Sequence, residues 1–145
     1  MKPLLPNPFI INNKHLSSIL SPSTDIIDYN YDSDGLHKLN LLQILRPDIY
    51  FGKKLSDKKF FDHSKKYYQQ LISNNIISKK TNNFNLYKIH SENHSQVGLV
   101  SLLDINDYQN NKIMPHEKIL VHKGKERAEQ LKKVRYQICP IYLFF

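Results

Sequence analysis

Residues 56–73, SDKKFFDHSKKYYQQLIS, contain the clearest helical pattern in the 145-residue chain. Ser56 is a residue type that begins helices, and Asp57 places a negative charge in the first turn, where the helix dipole favours it. The apolar and aromatic side chains that follow recur every three or four residues and therefore share one face: Phe60, Phe61, Tyr67, Tyr68, Leu71 and Ile72. This spacing predicts an amphipathic helix that begins after Ser56 and ends at Asn74.

The aromatic face of this helix has two interpretations. Tyrosine and phenylalanine beside lysine are typical of platforms on which nucleic-acid bases stack. The same pattern at helical spacing is more often core packing, with the lysine side chains extending from the edge of the core into solvent. We therefore expect the aromatic face to be core.

The remaining apolar segments predict strands and a second helix. Short apolar runs bounded by proline, serine and asparagine are typical of strands, and we expect strands at residues 9–11, 16–20, 39–45, 84–90 and 96–105. The last two flank a turn-forming stretch, which predicts an antiparallel hairpin whose second strand is central. Apolar residues at three- and four-residue steps predict a helix over residues 125–138 with a basic outer face.

These elements predict an α+β fold with a mixed or antiparallel sheet and two main helices, in one domain over residues 1–145. The chain ends in five apolar residues, 141–145, which predict a strand that needs neighbours on both faces. We therefore expect the fold to be incomplete at its C terminus, and we expect this strand to offer a surface for oligomer formation.

Composition restricts the class of protein. With 40% apolar and 23% charged residues the chain has enough apolar surface to fold. No apolar run approaches the roughly eighteen residues of a membrane helix, and the single cysteine, Cys139, excludes an internal disulfide and a zinc set. These features predict a cytoplasmic protein with no structural metal site of its own.

The charge of the chain favours anionic partners. The formal net charge is +8, and it is concentrated between residues 112 and 135, which contain eight basic and three acidic residues. Nucleotides, phosphorylated metabolites and nucleic acids are the anions to consider.

Residues 115–127 contain the densest group of chemically active side chains. His116 and Glu117 follow a proline, and lysines surround Gly124 just before the predicted helix. A helix N terminus, a glycine and basic side chains are the parts that hold phosphate, with His116 or Glu117 as a general base or a ligand for a metal that accompanies the phosphate. The alternative is a simple turn at Gly124 and a solvated basic face, since neither a Walker A loop nor a zinc-peptidase motif is present.

At these residues the chain resembles the DUF1015 family. The block Met114-Pro115-His116-Glu117-Lys118, the basic helix with Glu126-Arg127, and residues 138–145 are similar to one motif block of that family. Upstream, Pro8-Phe9 and residues 21–27 resemble its opening segments, with Thr24 where the family has tyrosine and Ile119 where it usually has threonine. The resemblance spans nearly the whole chain and implies an N-terminal part of a longer family domain.

The resemblance implies a function as well. The family is commonly grouped with the ParB/sulfiredoxin-like fold, whose relatives include nucleotide-binding proteins and a free-serine kinase. By that kinship we expect a phosphate- or nucleotide-binding, phosphotransferase-like domain that uses Mg²⁺ with a nucleotide, with His116 and Glu117 at the reacting end. The expected phosphate-binding residues are Lys118, Lys123, Gly124, Lys125 and Arg127, with Asp25 and Arg135 as additional candidates.

Two other hypotheses remain open. A non-catalytic module that binds nucleic acid through its basic surface would spread its affinity over many lysines. A truncated family fragment without activity of its own would show limited solubility and a mobile C-terminal strand.

Overall fold

The computed structural model describes residues 3–24, 27, 30–32, 35–81, 84–114 and 120–138. The chain divides into two compact units. The first unit comprises Met1–Ile10, Lys79–Ile119 and Cys139–Phe145, and the second comprises Ile11–Ser78 and Leu120–Ile138.

The second unit is built around the helix that the sequence predicts most clearly. This helix, here α4, spans Asp57–Ser73 with Ser56 as its N-cap and Asn74 as its C-cap, as predicted. The Ser56 hydroxyl makes no capping hydrogen bond, and the Ser56 carbonyl accepts the first helical bond from Phe60 N at 2.9 Å. The side chain of Ser56 therefore contributes less to the helix start than the sequence predicts.

The aromatic face of α4 forms core. Its buried residues are Phe61, Ser64, Tyr67, Tyr68 and Leu71. Burial raises the pKa of Tyr67 to about 12, with a smaller contribution from Tyr50, and it raises the pKa of Tyr68 to about 12, with a smaller contribution from Tyr136. The face therefore packs inside the protein, as expected, and its two buried tyrosine hydroxyls stay protonated.

Two short helices replace two of the predicted strands, and a third short helix follows the second of them. The structure has a 3₁₀ turn at Asn13–His15 followed by α1 (Leu16–Ile19), then α2 (Leu42–Leu45) and α3 (Pro47–Tyr50). The strands predicted at residues 16–20 and 39–45 are therefore wrong. Short apolar runs fit a strand or a buried helical turn equally well, and Pro47 begins a helix at its first position.

The second long helix, α6, spans Val121–Val134, which is four residues nearer the N terminus than predicted. It ends because Arg135 adopts a left-handed conformation with φ 69°. Tyr136 then stacks on Tyr68 of α4, with ring centroids 4.6 Å apart, so α6 packs beside α4.

The first unit contains the predicted hairpin. Strands β3 (Asn85–Ser91) and β4 (His94–Val100) pair antiparallel in a register from Asn85↔Val100 to Ser91↔His94, with a two-residue turn. Among the described residues this sheet has two strands, and Leu86, Val97 and Leu99 are exposed. Within that part of the chain the second strand therefore lies at an edge, and not at the centre as predicted. A bridge between Leu4 and Leu102 and the short helix α5 (Ile105–Gln109) complete the described part of this unit.

A second sheet joins the segments before and after the long helix. Strands β1 (Phe9–Ile11) and β2 (Ile77–Lys79) form it. Hydrogen bonds from Asn12 N to Ile76 O, 2.9 Å, and from Lys80 N to Pro8 O, 2.8 Å, show that the strands are antiparallel. Helices with two small antiparallel sheets make the fold α+β, as predicted, and the C-terminal strand predicted at residues 141–145 lies outside the described residues.

The buried apolar core of the described residues lies in the second unit: Ile19, Leu42, Ile44, Ile49, Phe61, Tyr67, Tyr68, Leu71, Ile76, Ile77 and Val134. Among the described residues no helix is long and apolar enough to cross a membrane.

Candidate functional site

A cleft of about 420 Å³ opens in the second unit. This volume lies within the range of small-molecule sites. Its walls come from the segment before α2, the break between α2 and α3, the start of α4 and the first two turns of α6. The described residues that line it are Thr24, Ile27, Arg46, Asp48, Lys54, Leu55, Asp57, Phe60, Phe61, Lys123, Glu126 and Arg127.

Four basic side chains converge on this cleft from three parts of the chain. Arg46 immediately precedes α3, Lys54 lies in the loop before α4, and Lys123 and Arg127 lie one helical turn apart on α6. In the described part of the chain, Lys54 and Lys123 form no salt bridge. Their charges are therefore available to an anion in the cleft.

A tight turn places Lys54 at the cleft. After α3 ends, Gly52 adopts a left-handed conformation with φ 59°, which favours glycine. Its N–H bonds to Ile49 O at 2.9 Å, and Lys53 N bonds to Asp48 O at 3.0 Å. These bonds fold the loop back onto α3, so Lys54 faces the same cleft as Arg46.

Arg46 is held by a two-point ion pair. Its Nε lies 3.1 Å from Asp48 Oδ1, and its Nη2 lies 3.0 Å from Asp48 Oδ2. The Asp48 side chain is only 7% exposed and Arg46 is 23% exposed. A nearly buried carboxylate needs such a partner, and the paired geometry fixes the plane of the guanidinium at the cleft wall.

Arg127 is held by a buried amide. Its Nη1 donates to Gln130 Oε1 at 3.0 Å, and Gln130 Nε2 donates to Ile44 O at 2.9 Å. The Gln130 side chain thus connects the Arg127 guanidinium to the backbone of α2 near its C-terminal end. Both arginines of the cleft therefore enter it with a defined orientation.

The cleft also contains acidic and apolar groups. Asp57 and Glu126 are exposed carboxylates that form no salt bridge within the described residues. Leu55, Phe60 and Phe61 supply an apolar wall, with the two phenylalanine rings 5.2 Å apart in an edge-to-face arrangement. In the part of the chain that the structure describes, no group of three or more ligand-type side chains forms a metal site.

The structure brings together only some of the predicted site residues. Lys123 and Arg127 line the cleft, whereas Gly124, Lys125 and Arg135 are not among its lining residues. Gly124 lies inside α6, and its N–H donates to Leu120 O at 3.0 Å. The helix starts earlier than predicted and uses the Gly124 N–H, whereas the role expected for Gly124 at a phosphate stays a prediction.

Four other predicted residues lie outside the described residues. They are Asp25, His116, Glu117 and Lys118. Their proposed roles stay predictions.

Sequence reasoning missed half of the basic residues in the cleft. Arg46 directly precedes a proline, and Lys54 lies just before the N-cap of α4. The residues around them therefore indicate where helices begin and end, and not a binding site. The Arg-Pro-Asp order was a usable signal, since an acidic residue in the first turn after an N-terminal proline is typical of a helix start. Thr24, which departs from the tyrosine of the family pattern, also lines the cleft.

Comparison with known proteins gives one match. Residues 5–145 match the DUF1015 family, described as a protein of unknown function. The chain belongs to the DUF1015 family. No curated protein and no solved structure matches it. The DUF1015 match includes every described residue that lines the cleft, so the cleft lies within the domain that defines this family.

Proposed function

We propose that this DUF1015 protein binds a phosphate-bearing small molecule in the cleft of its second unit. The observation that carries the proposal is the convergence of Arg46, Lys54, Lys123 and Arg127 on one cleft of small-molecule size. Arginines held in a fixed plane suit the oxygens of a phosphate, and lysines add unpaired positive charge. Two of the four, Lys123 and Arg127, are also phosphate-binding residues expected from the sequence.

The other lining residues narrow the ligand class. Asp57 and Glu126 would repel a ligand that is only anionic, and they accept hydrogen bonds from hydroxyl groups. The apolar wall of Leu55, Phe60 and Phe61 suits a ring or another apolar part. A nucleotide or another phosphorylated metabolite with hydroxyl groups satisfies all three features, whereas inorganic phosphate satisfies only one.

The reaction is a separate part of the proposal. Phosphoryl transfer from a magnesium-bound nucleotide, with His116 and Glu117 as acid and base, rests on the family resemblance. A cytoplasmic location, where such nucleotides are abundant, belongs to the same proposal.

Lys125 offers a matched control for the binding test. It lies two residues from Lys123 on α6 and is exposed, but it does not line the cleft. Lys123→Gln and Lys125→Gln remove the same charge from the same helix. If the site contains both lysines, as the sequence predicts, the two variants lose ligand affinity equally. If the site is the cleft, only Lys123→Gln loses ligand affinity.

The experiment is thermal unfolding with and without millimolar ATP and magnesium for the wild type, Lys123→Gln, Arg127→Gln, Lys125→Gln and Lys65→Gln. Lys65 is an exposed residue of α4 that does not line the cleft. A ligand at about a hundred times its Kd stabilises the fold by about 2.7 kcal/mol. We expect this shift in the wild type, Lys125→Gln and Lys65→Gln, and a reduced shift in the two cleft variants. No shift in the wild type contradicts the proposal. Equal losses at all four positions indicate diffuse charge binding, as for a nucleic-acid module.

A further inference from the structure

A buried glutamine connects the cleft to the core of the second unit. Gln130 is 6% exposed, although glutamine is a mostly exposed residue type. Its side chain donates from Nε2 to Ile44 O at 2.9 Å and accepts at Oε1 from Arg127 Nη1 at 3.0 Å. Arginine only donates and a carbonyl only accepts, so the two partners determine the orientation of the amide.

The Ile44 carbonyl is available because the helix breaks just after it. Arg46 leaves the helical conformation with φ −147° and ψ 65°, and Pro47, which begins α3, has no N–H for an i+3 bond to the Ile44 carbonyl. Helix ends leave carbonyls without helical partners. The Ile44 carbonyl receives Ser64 Oγ at 2.9 Å from α4 as well as Gln130 from α6.

The same break places the first arginine of the cleft. Arg46 lies two residues after Ile44 and is oriented by Asp48. Arg127 belongs to a different helix and lies 81 positions after Arg46 in the sequence, but it lines the same cleft. Gln130 is therefore the link between the guanidinium of Arg127 and the backbone segment that carries Arg46.

We propose that Gln130 is the positioning residue of the anion site: it holds the Arg127 guanidinium in the cleft at a fixed place relative to Arg46. This inference rests on the proposed function of the cleft. A long, exposed arginine loses side-chain freedom when it binds an anion, and fixing it beforehand reduces that loss. Gln130 itself does not line the cleft, so it acts through Arg127.

A merely structural role for Gln130 makes a different prediction. If the amide only satisfies the Ile44 carbonyl, its removal lowers stability and leaves affinity for an anion unchanged in the folded protein. If it positions Arg127, its removal lowers affinity only while Arg127 is present. A double-mutant cycle separates the two roles.

The cycle uses Gln130→Met, Arg127→Met and the double variant, with ATP and magnesium as the probe and its Kd measured by calorimetry well below the melting temperature. Methionine matches the length of glutamine and makes neither hydrogen bond. We expect Gln130→Met to raise the Kd about tenfold in the wild-type background and to leave it unchanged in the Arg127→Met background. Circular dichroism of each variant verifies the fold.

Three results would overturn the inference, and they differ from one another. If the wild type binds no ATP, the proposed function fails and the role of Gln130 with it. If Arg127→Met weakens binding but Gln130→Met does not, the anion site stands and the positioning role is wrong. If Gln130→Met weakens binding equally in both backgrounds, it acts on the shape of the cleft and not through Arg127.

A second variant keeps the test decisive if Gln130→Met does not fold. Gln130→Asn retains the amide, but its side chain is one methylene shorter and does not span the distance between Ile44 O and Arg127. We expect Gln130→Asn to raise the Kd in the wild-type background as Gln130→Met does, and to leave the Kd unchanged in the Arg127→Met background. Wild-type affinity in a folded Gln130→Asn variant overturns the inference.

Discussion

His63 is a titratable side chain enclosed by aromatic rings. Its ring lies edge-to-face against Phe51, with centroids 4.8 Å apart, and parallel to Tyr67, with centroids 6.2 Å apart. Its Nε2 is buried and has no hydrogen-bond partner among the described residues. Burial, and secondarily the positive charge of Lys66, lower the pKa of His63 below its usual value of 6.5.

This environment predicts a loss of stability on acidification. The unfolded chain protonates His63 near pH 6.5, whereas the folded protein resists protonation until a lower pH. The unfolded state therefore binds more protons in that window, and the free energy of unfolding falls as the pH drops below about 6.5. We expect the melting temperature of the wild type to fall more between pH 7.5 and 5 than that of His63→Phe.

The phenylalanine variant is the matched comparison because it preserves ring stacking and removes only the titration. The other histidines are the same in both proteins, so the difference between the two pH profiles isolates His63. Parallel profiles would show that this ring is accessible to protons in the folded state.

The break between α2 and α3 depends on side chains from other helices. Ser64 is fully buried, and its hydroxyl lies 2.9 Å from Ile44 O and 3.0 Å from Phe60 O. Ser64→Ala removes one of the two donors at the Ile44 carbonyl. We expect it to lower the free energy of unfolding by about 1–2 kcal/mol in urea titrations, which is the cost of a buried, partly satisfied carbonyl.

Ser73→Ala provides the control on the same helix. The Ser73 hydroxyl is exposed and bonds only to Gln70 O within α4, at 3.2 Å. We expect a change of less than about 0.5 kcal/mol for this surface position. Equal effects at Ser64 and Ser73 would mean that the break is stable without the Ser64 hydroxyl.

The elements that sequence patterns predict well are those whose signal is long and local. Helix α4 repeats its apolar spacing over 17 residues, and both of its ends were predicted. The hairpin was predicted because two alternating runs flank a polar turn. The short run before Arg46 was misassigned because its conformation depends on buried contacts with Ser64 and Gln130, which lie 20 and 86 positions away from Ile44.

The candidate site was predictable only in part for the same reason. Lys123 and Arg127 fall in a dense basic stretch and were found, whereas Arg46 and Lys54 come from a separate segment that only the fold places beside them. Lys125 was expected in the site because it is adjacent in sequence. Because α6 begins at Val121, Lys123 and Lys125 both lie inside the helix. A helix directs residues two positions apart to different faces, so Lys123 lines the cleft and Lys125 does not.

At the scale of the whole molecule, the two units differ in how much apolar surface they bury. The buried aliphatic and aromatic side chains of the described chain all lie in the second unit, and they include Ile44 and Leu71. In the first unit, the hairpin leaves Leu86 74% exposed and Val97 60% exposed. A two-stranded sheet without a buried face has little stability of its own. The units are therefore expected to open at different free energies.

Native-state hydrogen exchange measures this difference. Amides of α4 near Leu71 are buried beneath a packed face, so we expect them to exchange only through extensive unfolding. Amides of β3 and β4 have hydrogen bonds across one strand pair and exposed side chains on both strands, so we expect them to exchange faster and by local opening. Equal protection of the hairpin and of α4 at low denaturant would instead show one cooperative unit, in which the hairpin opens only when the core does.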